Sequence, residues 1–286
     1  MSLKAAFIGL GAMGTPMAGH LKDRGLLHAV ASRTQANADA VAKELGVIAP
    51  SLAETAAQCD VIALCVTADA DVLATVDALL PHLKKGAIVV DHSTVAPDTA
   101  KQAAAKLATV GAHFLDAPVS GGVEGAKNGK LSVMVGGDAD VLERARPVLE
   151  AYALRVTHLG DVGAGQATKA VNQVLVAGIA QGVCEGLALA EALGLDPERL
   201  LPTLGAGAAG NWFLEKRGAT MLRNEFSVGF KLGLLHKDLK IVAQLARNAG
   251  TRHDIIDASL HDYGNLMQMG HADEDISALI RLKRRP

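Results

Sequence analysis

Aromatic residues are scarce. They make up 3% of the 286 residues, with one tryptophan, two tyrosines and five phenylalanines. Whatever core the chain builds is therefore aliphatic, and its abundant Ala and Gly allow close backbone contacts. Cysteine is also rare: Cys59, Cys65 and Cys184 are odd in number and form no CxxC pair, which fits reduced, buried thiols in a reducing cytosol. There is no excess of positive charge. Lys and Arg number 28 against 30 Asp and Glu, a net charge of −2, which excludes a general nucleic-acid binder. A negatively charged substrate would be held by a few local cations and N–H groups. Long apolar runs are missing too. Val174–Ala180 is bounded by Gln173 and Gln181, with Glu185 close behind, far short of the ~20 residues of a membrane span. Met1–Leu10 runs straight into a glycine turn, without a signal peptide's separate apolar region and cleavage site. The ten histidines show no metal-ligand spacing, and no repeat or low-complexity linker interrupts the chain. These absences predict a soluble, cytoplasmic protein without a metal site, a membrane partner or a nucleic-acid partner.

The length, divided by ~150 residues per domain, suggests two domains. A hydrophobic share of 50% against 20% charged excludes disorder. Apolar runs at Ala5–Ile8, Ala29–Ser32, Val61–Val66, Ile88–Asp91, Phe114–Asp116 and Leu131–Val135 read as strands. Between them, Met13–Arg24, Ala36–Leu45, Asp71–Leu80 and Asp98–Val110 have helical length, and Ser51 with Glu54 has capping-box spacing. Continuous apolar strands alternating with helices predict a parallel sheet covered on both faces. Strand signals stop near Gly160, and Ala164–Leu193 reads as one long helix. Gly178, Gly182 and Gly186 line one stripe of it, and glycines in a helix interior cost roughly 1 kcal/mol each. The stripe therefore predicts another helix backbone packed closely there. Asp196-Pro197 is an N-cap followed by proline at the first helical position. The acidic run Asp273–Asp275 suits a further helix start. The expected architecture is α/β: a doubly wound dinucleotide-binding sheet domain over 1–162, a bridging helix over 163–193 and an all-helical domain over 194–286.

Gly9-Leu10-Gly11-Ala12-Met13-Gly14 is a GxGxxG that directly follows the first strand and opens the first helix. Gly9 permits the tight turn, Gly11 lets a pyrophosphate approach the backbone, and Gly14 lets helix and strand pack closely. The helix N-terminus presents N–H groups and a positive dipole end to the phosphates. An NAD-binding sheet places Asp or Glu after its second strand, on the ribose 2′-hydroxyl. Here Ala31-Ser32-Arg33-Thr34 stands there, with no acid before Asp39. A guanidinium flanked by two hydroxyls suits a 2′-phosphate, so NADP(H) is expected in preference to NAD(H).

The segment from Gly160 to Gln173 leads through glycines into the long helix. Lys169, Asn172 and Gln173 lie at i, i+3 and i+4 on one face of it. Together with Asp91-His92-Ser93-Thr94-Val95-Ala96-Pro97, Asp116-Ala117-Pro118-Val119-Ser120-Gly121-Gly122 and Lys237-Asp238, these motifs run the length of the chain. The sequence resembles the β-hydroxyacid dehydrogenase family, which includes 3-hydroxyisobutyrate dehydrogenase, tartronate semialdehyde reductase and the glyoxylate and succinic semialdehyde reductases.

The resemblance implies roles. Lys169 would give a proton to the substrate carbonyl and take it back in oxidation, with Asn172 orienting the substrate or Lys169. Which of Asn172 and Gln173 points into the site is left open. A lysine with an ordinary pKa near ~10.4 is a secure donor beside a neutral nicotinamide. A +1 ring at about 6 Å and an effective dielectric of ~20 disfavours the ammonium by roughly 2–3 kcal/mol, pushing its proton toward the forming alkoxide. Ser120, Gly121 and Gly122 would bind the substrate carboxylate with a hydroxyl and a small nest of N–H groups. Thr94 and Val66-Thr67 would lie along the nicotinamide, Val66-Thr67 standing where many relatives have Leu-Pro. Lys237 would contact the cofactor, with Asp238 and Phe230 at the pocket mouth. Gly9, Gly11, Ala12, Met13, Gly14, Ser32, Arg33 and Thr34 complete the expected cofactor contacts. Trp212 is either near that mouth or core filler, and His92 and His236 are hydrogen-bonded fillers without a role.

The activity this implies is NADPH-dependent reduction of a small carboxylated aldehyde or keto acid, by a homo-oligomer of two or four chains. The alternatives are an NAD-linked 3-hydroxyisobutyrate-type dehydrogenase, an imine reductase, against which Lys169 argues, and a catalytically silent NADP-binding module.

Overall fold

The computed structural model describes residues 3–284. Two compact units divide the chain between Lys169 and Ala170.

The first unit runs β1 (Ala5–Ile8), α1 (Gly14–Asp23), β2 (Leu27–Ala31), α2 (Gln35–Leu45), α3 (Leu52–Gln58), β3 (Val61–Leu64), α4 (Asp69–Leu79), β4 (Ile88–Asp91), α5 (Pro97–Ala108), β5 (His113–Asp116), β6 (Val119–Ser120), α6 (Gly122–Lys127), β7 (Leu131–Gly136), α7 (Ala139–Leu149) and β8 (Ala153–Gly160). Strands β2-β1-β3-β4-β5 are parallel neighbours in that order. Alternation along β1 shows why both faces are covered. Ala5 and Phe7 pack with Met17, Leu21 and Leu142 on one side; Ala6 and Ile8 pack with Ile62, Val76 and Leu107 on the other. The Ser51–Glu54 capping box forms as the spacing predicts, each residue bonding the other's backbone N–H.

Beyond β5 the sheet departs from the parallel expectation. β7 runs antiparallel to β5 and β6, and β8 pairs parallel with β7. An apolar run records burial on both faces but not the direction in which a strand runs. β8 was not expected at all. Leu154 is 74% exposed, and Arg155, Thr157 and His158 are exposed beside it, so this strand carries no apolar run. Helices α6 and α7 were likewise unanticipated. The latter is capped by Asp138, which accepts the N–H groups of Asp140 and Val141.

The division falls within α8 (Ala164–Ala192), the expected long helix. The second unit continues with α9 (Pro197–Gly205), α10 (Trp212–Leu222), α11 (Leu232–Ala249), α12 (Asp254–Gln268), a 3₁₀ turn at Ile276–Leu279 and α13 (Ile280–Lys283). Asp196 caps α9 through the Glu198 N–H, as Asp-Pro predicts. Asp275, from the acidic run, caps the 3₁₀ turn through the Ser277 N–H. Ala177, Ala180, Cys184 and Leu187 of α8 are buried against Phe213, Leu235, Leu239 and Tyr263.

Taken whole, α8 is long and apolar enough to cross a membrane by length and composition, which Val174–Ala180 alone did not suggest. Its buried stripe is instead core of the second unit. Among the described residues no helix backbone packs closely along the glycine stripe: a Cβ at Gly178 would touch the Ile255 side chain, and one at Gly182 or Gly186 would meet nothing within 4 Å. A groove runs there, lined by Gly178, Ile179, Gly182, Gly186, Leu189 and Leu193.

Candidate active site

In an open parallel sheet, ligands bind outside the carboxyl ends of the strands, where the strand order reverses. Here β1 sits between β2 and β3, and the GxGxxG loop follows it. Gly9 has φ +96°, and a Cβ there would lie 2.2 Å from the Cys65 carbonyl oxygen. A Cβ on Gly14 would lie 1.9 Å from Gly9 O and 2.8 Å from the Phe7 ring. Gly11 alone has open space in that direction. Two glycines are thus needed for packing and the middle one leaves room, which fits a pyrophosphate over the loop. Met13 precedes α1 without a side-chain cap and no acid stands in its first turn, so nothing competes for an anion. At the end of β2, Ser32 Oγ accepts a hydrogen bond from Asn37 Nδ2, which also donates to Leu10 O, tying this corner to the glycine loop. Arg33 and Thr34 are exposed. Asp39 is in α2, accepting from Gln35, away from the end of β2.

The ends of β3, β4 and β5 are joined by buried polar bonds. Val66 N–H donates to Ser93 Oγ at 2.9 Å, and Ser93 N–H donates to Asp91 Oδ1 at 2.9 Å. Gln166 Nε2 donates to Ser93 O at 2.7 Å, while its Oε1 accepts from Val95 N–H at 3.2 Å. Thr94 stands half-buried between those two anchor points, and Thr67 is exposed. Asp116, the last residue of β5, accepts the Gly163 N–H at 2.7 Å and the Gln166 N–H at 2.9 Å. Burial raises the Asp116 pKa against the pull of those N–H groups. Asp91 is pushed up to about 7 by burial, with Asp116 and Asp69 adding to the effect, and its Oδ2 has no hydrogen-bond partner among the described residues. His92 Nδ1 faces Ala117 O at 2.7 Å, so it must carry the proton and donate; Nε2 then accepts from the Tyr152 hydroxyl at 2.8 Å. Burial lowers its pKa to about 4. That is a buried, hydrogen-bonded core position.

Lys169 lies in the second turn of α8 and is 7% exposed. Ser120 closes β6 opposite Ser132, and Gly121 and Gly122 follow at φ +128° and +61°, conformations that favour glycine.

In the second unit, Gln173 is the buried amide of the pair left open by the sequence. Its Nε2 donates to Asp238 Oδ2 at 2.7 Å, and its Oε1 accepts from Asn172 Nδ2 at 2.9 Å. Lys237 Nζ lies 2.9 Å from Asp238 Oδ1. The structure therefore brings Asn172, Gln173, Asp238 and Lys237 into one chain of contacts. Phe230 is held nearby in sequence by Asp275, whose Oδ2 accepts the Gly229 and Phe230 N–H groups and whose carboxylate also pairs with Arg217. Trp212 is 50% exposed with the Arg217 guanidinium over its ring, so it does not fill the core. His236 is a half-buried helix residue with its pKa lowered by burial. No group of three or more His, Cys, Asp or Glu that could hold a metal occurs among the described residues.

Asn37, Asp91, Asp116 and Gln166 were not assigned functions from the sequence. The signal for the last three was position: two acids each end a strand, and a glutamine follows immediately after the glycines that open α8.

Residues 4–160 match the model of the NAD-binding domain of 6-phosphogluconate dehydrogenase, and residues 163–283 match that of the NAD-binding domain of NADP-dependent 3-hydroxyisobutyrate dehydrogenase. An NAD-dependent L-serine dehydrogenase of Pseudomonas aeruginosa is 35% identical over 97% of this chain and 96% of its own. A 2-hydroxy-3-oxopropionate reductase of Escherichia coli is 36% identical over 86% and 85%. The solved structure of Mycobacterium tuberculosis 3-hydroxyisobutyrate dehydrogenase with L-serine is 32% identical, covers 100% of both chains and superposes with a TM-score of 0.89. Sheet, long helix and helical second unit are those of that fold, and the chain belongs to the β-hydroxyacid dehydrogenase family of NAD(P)-binding oxidoreductases typified by 3-hydroxyisobutyrate dehydrogenase.

Proposed function

We propose that this protein is an NADPH-dependent reductase of a small carboxylated aldehyde or keto acid, with Lys169 as general acid. The observation that carries the reading is a lysine only 7% exposed, one turn after a helix start bonded to the ends of β4 and β5. The dinucleotide, when bound, supplies the hydride. Lys169 gives its ammonium proton to the carbonyl oxygen and regains one from solvent. Asn172 orients the substrate, itself steadied by its bond to Gln173. Ser120 and the N–H groups at Gly121 and Gly122 hold the carboxylate. Gly9, Gly11, Ala12, Met13 and Gly14 hold the pyrophosphate, and Ser32, Arg33 and Thr34 the 2′-phosphate. Val66, Thr67, Thr94 and Lys237 line the cofactor, with Phe230 and Asp238 beside the substrate. The reducing direction and the cytoplasmic location follow from that cofactor and from reduced thiols. Residues 1–162 act as the cofactor domain, 163–193 as a bridge and 194–286 as the substrate and oligomerisation domain.

Loss of NADPH absorbance with glyoxylate, succinic semialdehyde, tartronate semialdehyde and methylmalonate semialdehyde tests the activity. Turnover of at least one is expected. NADPH binding without turnover of any would mean a silent binding module. The name of the Pseudomonas relative favours one second reading, NAD-linked oxidation of a hydroxy acid; faster turnover with NADH than with NADPH would establish it.

The oligomer is supported by the open glycines and by Val171, Leu175 and Leu189, each 59–61% exposed on α8. Gly182→Leu is expected to shift the sedimentation coefficient toward that of a monomer.

A further inference from the structure

We propose that Asp116 and Gln166 are positioning residues for the proton donor, setting where the first turn of α8 holds Lys169. This rests on the reading of Lys169 as that donor. A helix start leaves four N–H groups without intrahelical partners, and a local Ser, Thr, Asp or Asn usually covers one of them. Ahead of α8 stands Gly163, with φ +98° and no side chain. Asp116 takes over from 47 residues upstream, one oxygen on the Gly163 N–H and the other on the Gln166 N–H.

The carboxylate sits in a fitted cradle. A Cβ at Gly136 would lie 2.6 Å and 2.8 Å from its two oxygens, and one at Gly165 would lie 2.9 Å from Oδ2 and 2.4 Å from Met134 O. A side chain at Gly136 would strike both carboxylate oxygens, and one at Gly165 would strike the Met134 and Asp116 carbonyls before reaching Oδ2. Gln166 adds a second anchor of a different kind. It donates to Ser93 O and accepts from Val95 N–H, gripping the backbone on either side of Thr94. Gln166 is 1% exposed, so neither bond has water as a ready substitute.

Lys169 follows Gln166 by three residues and shares its face of the helix. A slip of one residue at the start would move everything after it by 1.5 Å along the axis and about 100° around it. Displacing a catalytic group by about 1 Å costs up to roughly a hundredfold in rate. Cap and clamp together fix depth and rotation, the two coordinates a helix start leaves open.

Asp116→Asn turns an amide N–H₂ toward a backbone N–H, and Gln166→Met removes both clamp bonds at similar volume. With the best substrate of the panel, each is expected to lower kcat about tenfold to a hundredfold. KM and the NADPH Kd, read by fluorescence, should change far less than kcat, because the Gly9–Gly14 loop is untouched and Thr94 is the one cofactor-lining residue next to the clamp. Amide exchange should accelerate at Gly163 and Gln166 in Asp116→Asn. In a Lys169→Ala background neither variant should cost anything further, since both act through that amine. Full kcat in both variants overturns the proposal. So does an undiminished loss in the Lys169→Ala background, or loss of NADPH binding in both variants, which would make the residues merely structural. If only Asp116→Asn fails to bind NADPH, Gln166→Met decides. Wild-type turnover by Lys169→Ala itself would instead mean that the proton-donor reading has failed.

Discussion

In the first unit the candidate residues other than Lys169 stand at or just after the ends of strands, most of them in runs of consecutive letters. In the second they are spread over separate elements: Asn172 on α8, Phe230 just ahead of α11, and Lys237 and Asp238 on α11. The difference is geometric. A parallel sheet delivers every strand end to the same edge, so a loop of four to seven residues can line a ligand without help from afar. A helix offers one side chain per turn to any given direction, so a site built on helices has to be assembled from separate elements. Gln173 reaches Asp238 across 65 positions of chain. Short-range pattern marks loops of the first kind directly, whereas the Gln173–Asp238 bond is visible only in the fold.

Four measurements can break or sharpen that contrast. The largest effect is expected for Lys169→Ala: general acid–base groups contribute about 10²–10⁴-fold, so kcat should fall by that factor while NADPH still binds. A variant at full speed would leave the first unit as a dinucleotide holder only. Next is Arg33→Ala. A charged hydrogen bond to the 2′-phosphate is worth ~1.5–3 kcal/mol, so the KM for NADPH should rise about tenfold or more with that for NADH unchanged. Equal changes for both cofactors would remove the 2′-phosphate assignment. Asp238→Asn comes third. It removes the charge facing Lys237 and weakens one hydrogen bond, for an expected loss of roughly fivefold in kcat/KM; no change would leave the second-unit chain of contacts without a part in turnover.

The smallest effect is on stability against pH. Asp91, at about 7 when folded against 3.8 ordinarily, binds a proton in the fold that the unfolded chain has released, so its contribution is complete below about pH 4 and lost as pH rises toward 7. His92, at about 4 against 6.5, has the opposite sign: its contribution is complete above pH 6.5 and lost as pH falls toward 4. The two slopes offset each other between about pH 4 and 6.5. Asp91→Asn keeps the acceptor for the Ser93 N–H and removes one slope, so urea midpoints for the variant should fall more steeply with acid than those of the parent. Parallel curves would show that Asp91 is ionised throughout.

The βαβ order and the glycine loop were legible because apolar runs and glycine spacing are local properties. β8 was not, because half its residues face solvent at the edge of the sheet and leave no apolar signal. The glycines of α8 were legible only in part: a small residue announces that something approaches closely, without saying whether it belongs to the same chain. Lys169 was singled out through its motif, whereas Asp116 lay inside a motif read as a substrate loop. Its partners stand 47 and 50 residues away, and no spacing rule connects a strand end to the start of a distant helix.

Burial pushes the Cys59 thiol up to about 11 and the Cys184 thiol up to about 12. Alkylating reagents need the thiolate, so at neutral pH they should bypass both while the fold holds. Cys65 is only half-buried, and its carbonyl is the surface on which Gly9 rests. A reporter dye directed to that thiol would sit behind the dinucleotide loop, where its emission could follow each cofactor arriving and leaving.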